Sequence, residues 1–402
     1  MVARLREEPS LDDTIRMLEA LDPNAMLDIV LSQSVHDKPA LSLADELSRL
    51  TVRELRELAR NAGMTGSISK MNKRTLVNSL FELMDAPPAQ LLSLARSFGT
   101  SYLKCLRQLC EAGGHIEVPI AEFKSLKQVP VPHPPLSLLY DWDDTLHSIM
   151  PQELFAKLKD VDWDKELKDA EPIERALAYL DVLVDLRGIV PLREAIYECT
   201  THTTDAPGAD DIKVAILNGA SGPQSGFACV TLYDMKCLVH GILFDYLKDD
   251  DPDDWDYVEG LFVSQEEYPA RPLTDELLQA GSVPDMLRET PPGKALAALL
   301  EKGTPSDLPP ALFAPTMVMA LVQMSRESQR ICDFVDILAR FDIRIVESDA
   351  DQAMGLYAQL AARIPQWDRN GWSLRDELCG KVRPQPRIDE DLADILPFVP
   401  RS

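Results

Sequence analysis

The chain has 402 residues, 45% of them hydrophobic, and carries a formal net charge of −25 at pH 7. This length fits roughly two to four compact units, and the hydrophobic share is large enough to build their cores, which excludes global disorder. Because most of the surface must be anionic, phosphates would be repelled over most of it. Broad, sequence-independent wrapping of nucleic acid is therefore excluded.

Membrane and metal signals are absent from the sequence. No apolar run reaches the ~20 residues that cross a bilayer, and the N-terminal MVARLREEPSLDD lacks the apolar centre of a signal peptide. The seven cysteines are scattered without C-x-x-C, and the six histidines show no metal-ligand spacing. We therefore expect a cytoplasmic protein with buried, free thiols, no membrane contact, no metal site and no cofactor.

The first part of the chain predicts a basic module preceded by acidic helices. Residues 1–48 place apolar side chains at helical spacing, which predicts two amphipathic helices. Residues 49–86 predict helix, loop, helix, with Thr51 placed to cap the first helix and the second beginning near Asn72. Between residues 50 and 84 there are six basic and three acidic residues. The basic ones are Arg53, Arg56, Arg60, Lys70, Lys73 and Arg74.

A family resemblance accompanies this charge. The segment resembles the N-terminal domain of Rho termination factor and the related SAP helix-loop-helix module, on the pattern Leu50-Thr51-Val52-x-x-Leu55-x-x-Leu58-Ala59, Gly63-Met64 and Ser69-Lys70-Met71-x-Lys73-x-x-Leu76-Val77. Modules of this kind commonly bind nucleic acid, and some serve only as protein contacts. By this resemblance residues 49–84 would contact DNA or RNA, with the six basic side chains on phosphates, which position a protein without reading sequence.

The middle of the chain predicts two winged-helix-like units. Residues 87–160 predict helices followed by a hairpin that turns at Asp143-Asp144. Residues 161–256 begin with a predicted acidic connector, 161–174, and then repeat that order with a second hairpin near Asp234-Met235. The two units would share an architecture rather than a sequence.

Residues 257–402 predict a helical C-terminal domain and a tail. Three methionines cluster on one predicted helix, Met317, Met319 and Met324. We expect them to fill a core, and a groove that binds a protein partner is the alternative. Residues 361–378 resemble the end of a helical domain in bacterial proteins that also carry Rho-N-like modules, through a Trp, a Gly and a Glu-Leu pair.

One stretch favours an enzyme instead. LLYDWDDTL resembles motif I of haloacid dehalogenase-type phosphatases, an apolar strand followed by D-x-D-x-T. By that resemblance Asp141 would be the nucleophile, Asp143 the general acid and base, and Thr145 would lie beside a magnesium site. The α/β alternation of a doubly wound sheet is missing, however. A hairpin turn also explains Asp143 and its neighbour Asp144 without catalysis.

These observations combine into one interpretation. The expected fold is mainly α with small β-hairpins, in five segments. They are 1–48, 49–86, 87–160, 161–256 and 257–402. The expected function is non-enzymatic, that of a nucleic-acid-associated or regulatory protein of bacterial or phage type, with no catalytic residues. The alternatives are a protein–protein interaction scaffold, which would use the C-terminal helical domain, and a magnesium-dependent phosphatase built on Asp141 and Asp143.

Overall fold

The computed structural model describes residues 30–31, 34–61, 64, 68–123, 136–219, 226–247, 252–303, 310–326, 334–335, 338–339 and 343–385. The helices predicted before residue 30 and the predicted tail after residue 385 lie outside this range. The described chain is mainly helical and holds two three-stranded antiparallel sheets. The predicted fold class, mainly α with small β-hairpins, is confirmed.

The chain divides into two compact units. The N-terminal unit contains the described residues of Glu7–Asp181 and Val190–Gly241, and the C-terminal unit those of Val182–Ile189 and Ile242–Ser402. The finer division into five segments stays a prediction.

Five helices and one 3₁₀ turn open the N-terminal unit and share a single core. They are α1 (Leu43–Arg49), α2 (Val52–Asn61), the 3₁₀ turn Ile68–Lys70, α3 (Lys73–Met84), α4 (Pro88–Arg96) and α5 (Gly99–Glu111). Their apolar faces interlock through side chains that are fully buried, such as Leu47, Leu55, Leu76 and Leu103. Helices this short are stable because they bury an apolar face against their neighbours rather than through propensity alone.

The first sheet follows α5. Its elements are β1 (His115–Pro119), α6 (Ile120–Phe123), β2 (Leu138–Trp142), β3 (Thr145–Ile149) and then helix α7 (Gln152–Leu158). The strand order is β1-β3-β2, with Asp141 opposite Leu146. The β2–β3 hairpin turns at Asp143 and Asp144, which have φ of 53° and 55°. Positive φ at both central residues is what a two-residue type I′ turn requires, so the predicted turn is confirmed.

The second sheet has the same strand order. The elements are α8 (Trp163–Arg187), β4 (Ile189–Pro191), α9 (Leu192–His202), α10 (Ala209–Gly219), β5 (Phe227–Leu232) and β6 (Met235–His240). In the order β4-β6-β5 the strand β6 lies between the other two, and helix, strand, helix, helix precede the β5–β6 hairpin. The assignment of these elements to a winged-helix-like unit stays a prediction. Its hairpin turns at Tyr233 and Asp234, with φ of 43° and 64°.

The predicted acidic connector at 161–174 is wrong, because residues 163–174 form the first half of the 25-residue helix α8. Three contacts hold this half of the helix on the N-terminal core. Ala170 is fully buried, Arg96 Nε lies 2.9 Å from a carboxylate oxygen of Glu166, and Thr100 Oγ1 donates to Glu174 across 3.3 Å. Burial and ion pairing therefore outweigh the cost of Pro172 inside the helix.

The C-terminal unit is helical. Its helices are α11 (Gly241–Leu247), α12 (Pro252–Gln265), α13 (Asp275–Ala280), α14 (Val283–Arg288), α15 (Pro291–Gly303), α16 (Pro310–Met324), α17 (Glu347–Ala361) and α18 (Leu374–Leu378), with a 3₁₀ turn at Trp367–Arg369. Helices α14, α15, α16 and α17 enclose its main core. Met317 is buried there, as expected of a core-filling methionine, whereas Met324 at the end of α16 is exposed.

Two further expectations can be compared with the described residues. Within that part of the chain no helix is both long enough and apolar enough to cross a bilayer. The cysteines in the same part are all free thiols, as predicted, but only Cys199 and Cys237 are buried, so the expected burial is wrong for the others. The free thiols of the described residues are Cys105, Cys110, Cys199, Cys229, Cys237 and Cys379.

Candidate nucleic-acid interface

A reciprocal cap starts helix α2 at the predicted position. The backbone N–H of Glu54 donates to Thr51 Oγ1 across 3.3 Å, and the backbone N–H of Thr51 donates to Glu54 Oε2 across 2.6 Å. This arrangement satisfies two N–H groups that a helix start leaves without partners. The carboxylate of Glu54, the residue after Arg53, is therefore bonded to the helix start. The Arg53 side chain is exposed.

Arg56 holds the chain after the loop against α2. Its Nη2 donates to the carbonyl oxygen of Ser69 across 2.6 Å and lies 3.4 Å from that of Met71. Beside these groups, Ile68 is buried in the same core as the apolar face of α2. The 3₁₀ turn is therefore held by the hydrogen bond from Arg56 and by the burial of Ile68. Lys70 at the end of the turn is exposed.

The start of α3 concentrates positive charge. The helix begins near Asn72, as predicted, and Asn72 caps it, with its Oδ1 accepting from the backbone N–H of Thr75 across 3.0 Å. Lys73 and Arg74 occupy the first turn, both are exposed, and the turn contains no acidic residue. The N-terminal end of a helix already carries about half a positive charge, so these two cations add to a field that attracts phosphate.

The six predicted contact residues divide into three groups. Four are exposed, Arg53, Lys70, Lys73 and Arg74. Arg56 is partly buried and bonded to backbone carbonyls. The side chain of Arg60 lies outside the described residues. Among described residues the four exposed cations form no ion pair, in contrast to Lys157, whose Nζ lies 2.7 Å from Asp85. Their role in binding stays a prediction.

The backbone at Asp141 follows the hairpin alternative. Asp141 lies on β2, which pairs only with antiparallel β3 and with the short bridge at Val35 in the described chain. Its Oδ2 lies 3.1 Å from His36 Nδ1, and Asp143 forms the turn. The phosphatase chemistry needs the first aspartate at the end of a strand in a doubly wound parallel sheet. The described geometry gives that interpretation no support.

The structure also brings together three residues that the sequence left apart. His115, Glu117 and His147 place one nitrogen or oxygen each within 4.8 Å of one another. A search for ligand spacing along the chain misses them, because β1 and β3 are joined through sheet pairing across a 30-residue interval. The available signal is H-x-E in a strand, since alternate residues share a face.

The described chain is mainly helical with two small sheets, and it carries four exposed cations on helices α2 and α3 and the 3₁₀ turn between them. Comparisons with protein-family models, with curated proteins and with solved structures found no match. The resemblance of residues 50–77 to Rho and SAP modules stays a prediction.

Proposed function

We propose that this protein is a non-enzymatic, nucleic-acid-associated or regulatory protein that contacts phosphates through the basic module. The observation that carries the proposal is the start of α3, where Lys73 and Arg74 are exposed on an Asn72-capped helix with no acid in its first turn. Arg53 and Lys70 supply further exposed cations, and Arg56 and Arg60 complete the predicted set.

The contact is local because the rest of the chain is acidic. With a net charge of −25, the protein repels a polyanion except where cations are concentrated. The second winged-helix-like unit illustrates the contrast, since its helix α10 carries Asp210 and Asp211 in the first turn. In that position two carboxylates oppose phosphate contact. The basic module is therefore the better candidate for a phosphate-binding surface.

The experiment measures binding of the full chain to a fluorescent duplex and to the matching single strands by anisotropy, at about 50 mM salt, where phosphate contacts are strong. The test variant is Lys73→Glu with Arg74→Glu. The control is Lys104→Glu with Lys159→Glu, which changes the net charge equally at two exposed residues outside the module. We expect the test variant to lose about tenfold or more in affinity, and the control to lose much less. Equal losses would refute a local site.

A second candidate function is a protein-interaction scaffold. One observation favours it, which is that the second winged-helix-like unit exposes four large apolar side chains. They are Tyr197 on α9, Val214 on α10, and Tyr233 and Met235 at the hairpin. Exposed apolar groups of this size are typical of contact surfaces when they adjoin. Recovery of a protein partner that is lost in Tyr197→Ser with Met235→Ser, without any nucleic acid, would favour this function over the first.

We also propose a cytoplasmic location and no catalytic activity. The free thiols of the described residues support a reducing compartment. The resemblance to haloacid dehalogenase-type phosphatases needs a parallel strand before Asp143, whereas Asp143 lies in the turn of an antiparallel hairpin. Magnesium-dependent hydrolysis of a phosphate ester that disappears in Asp141→Asn would overturn the non-enzymatic proposal.

A further inference from the structure

Three side chains with metal-binding groups lie on one face of the first sheet. His115 and Glu117 are two residues apart on β1, so the pleat directs them to the same side. Glu117 stands directly opposite His147 on β3 in the antiparallel register. Directly opposed residues also share a face and bring their Cβ atoms within about 5.5 Å of each other. The backbone itself therefore assembles the cluster.

The distances within the cluster are close to those between ligands of one metal ion, and the two imidazoles also lie within hydrogen-bond distance of each other. His115 Nε2 lies 3.1 Å from His147 Nδ1, and Glu117 Oε1 lies 3.5 Å and 3.6 Å from those two nitrogens. Ligands about 2.1 Å from one metal ion are about 3.0–3.4 Å apart in octahedral or tetrahedral geometry. The carboxylate oxygen is nearly equidistant from both nitrogens, yet too far from either for a strong charge-assisted hydrogen bond.

A backbone carbonyl orients one of the two imidazoles. Nε2 of His147 lies 3.3 Å from the carbonyl oxygen of Trp142. With the proton on Nε2, His147 donates to that oxygen and leaves the lone pair of Nδ1 facing the other two groups. Metal-binding histidines commonly carry such a second hydrogen bond, which fixes the tautomer.

We propose that His115, Glu117 and His147 bind a divalent transition-metal ion, with Zn²⁺ as the cellular ion. Two imidazole nitrogens and one carboxylate oxygen suit zinc, nickel and copper, whereas calcium and magnesium prefer oxygen ligands alone. The His115 and Glu117 side chains are 33% and 60% exposed, so a fourth position stays open to water or to a ligand from another molecule. The bound ion joins the outer strand β1 to the central strand β3.

The test titrates Zn²⁺ into the chelator-treated full chain against a competing chromophoric chelator, and repeats the titration with Co²⁺ by visible absorption. The first variant is Glu117→Ala, which changes an exposed side chain and leaves the core intact. The second is His147→Ala. The control is His202→Ala, because His202 Nε2 lies 3.6 Å from Glu198 Oε2 and no third metal-binding group among the described residues joins this pair. Circular dichroism and the thermal unfolding midpoint report folding of each variant.

The expected result is one Zn²⁺ per chain and a Co²⁺ spectrum with visible bands. Affinity should fall about 100-fold or more in Glu117→Ala and in His147→Ala, since even outer contacts to ligands are worth about 10–100-fold. His202→Ala should bind as the unmodified chain does. The proposal is overturned if the unmodified chain binds no Zn²⁺, or if a folded Glu117→Ala chain binds it with unchanged affinity.

Discussion

Arg56 Nη2 donates to the carbonyl oxygen of Ser69 across 2.6 Å, which ties helix α2 to the 3₁₀ turn. A residue predicted from charge to contact phosphate therefore also has a positioning role within its own module. It holds the segment that presents Lys70 and leads into the cap of α3. Substitution of Arg56 should therefore change stability, whereas substitution of the exposed cations should change phosphate binding.

Replacing Arg56 by alanine should destabilise the protein. The substitution removes the hydrogen bond to the exposed carbonyl of Ser69, and because water can replace the guanidinium there, the expected cost is the net value of a hydrogen bond, about 1–1.5 kcal/mol. Arg53→Ala is the control, because Arg53 is exposed and its loss should change the free energy of unfolding by no more than about 0.5 kcal/mol. Urea unfolding measures both. Equal effects of the two variants would show that Arg56 has no positioning role.

Glu46 should make stability depend on pH. It is fully buried on α1, and burial together with the nearby carboxylate of Glu153 raises its pKa from 4.5 to about 9. The folded chain therefore keeps a proton that the unfolded chain releases above pH 4.5. The contribution of this group to stability is full below pH 4.5 and is lost progressively as the pH rises to about 9.

The matching substitution is Glu46→Gln, which keeps the shape of the protonated acid. At pH 8 we expect it to raise the free energy of unfolding by on the order of 2 kcal/mol, and at pH 4 to change it little. Urea unfolding from pH 4 to pH 9 measures the difference. The control is Glu82→Gln at an exposed residue of α3. A constant difference between Glu46→Gln and the unmodified chain over this range would contradict the raised pKa.

Gly188 should be intolerant of alanine. Its φ is +77°, and a Cβ placed there would lie 2.5 Å from Cγ of Trp367, which is fully buried. The left-handed backbone costs about 1–2 kcal/mol for a side chain, and the overlap with the indole adds about 1–3 kcal/mol. Gly281→Ala separates these effects, since Gly281 has φ of +81° and nothing within 4 Å of its Cβ position. Thermal unfolding should show a clearly larger loss for Gly188→Ala, and equal losses would exclude the steric contribution.

Local signals predicted the basic module well. Thr51 and Asn72 both cap the helices they were expected to start, because a side chain that accepts from the second or third N–H is a short-range signal. The sequence also predicts the hairpin turn at Asp143 and Asp144, since aspartate tolerates the positive φ that the turn requires. In each case the deciding contact lies within four residues.

The elements that the sequence did not predict depend on contacts between residues far apart in the chain. Most of the connector predicted at 161–174 belongs to helix α8. Glu166 pairs there with Arg96, about 70 residues away in sequence, and Ala170 is buried in the N-terminal core. Strand β4 has three residues and no pattern of its own, so only the pairing with β6 defines it. The His115 cluster likewise follows from strand register, which no local pattern fixes.

The most direct measurement of the central claim is the salt dependence of nucleic-acid binding. For a duplex, log K falls with log salt by about 0.9 for each phosphate that a cation neutralises. The account predicts that Lys73→Gln with Arg74→Gln makes this slope shallower by about 1.8, while Lys104→Gln with Lys159→Gln leaves it unchanged. If the slope is the same in all three chains, Lys73 and Arg74 contact no phosphate and the proposed interface is wrong.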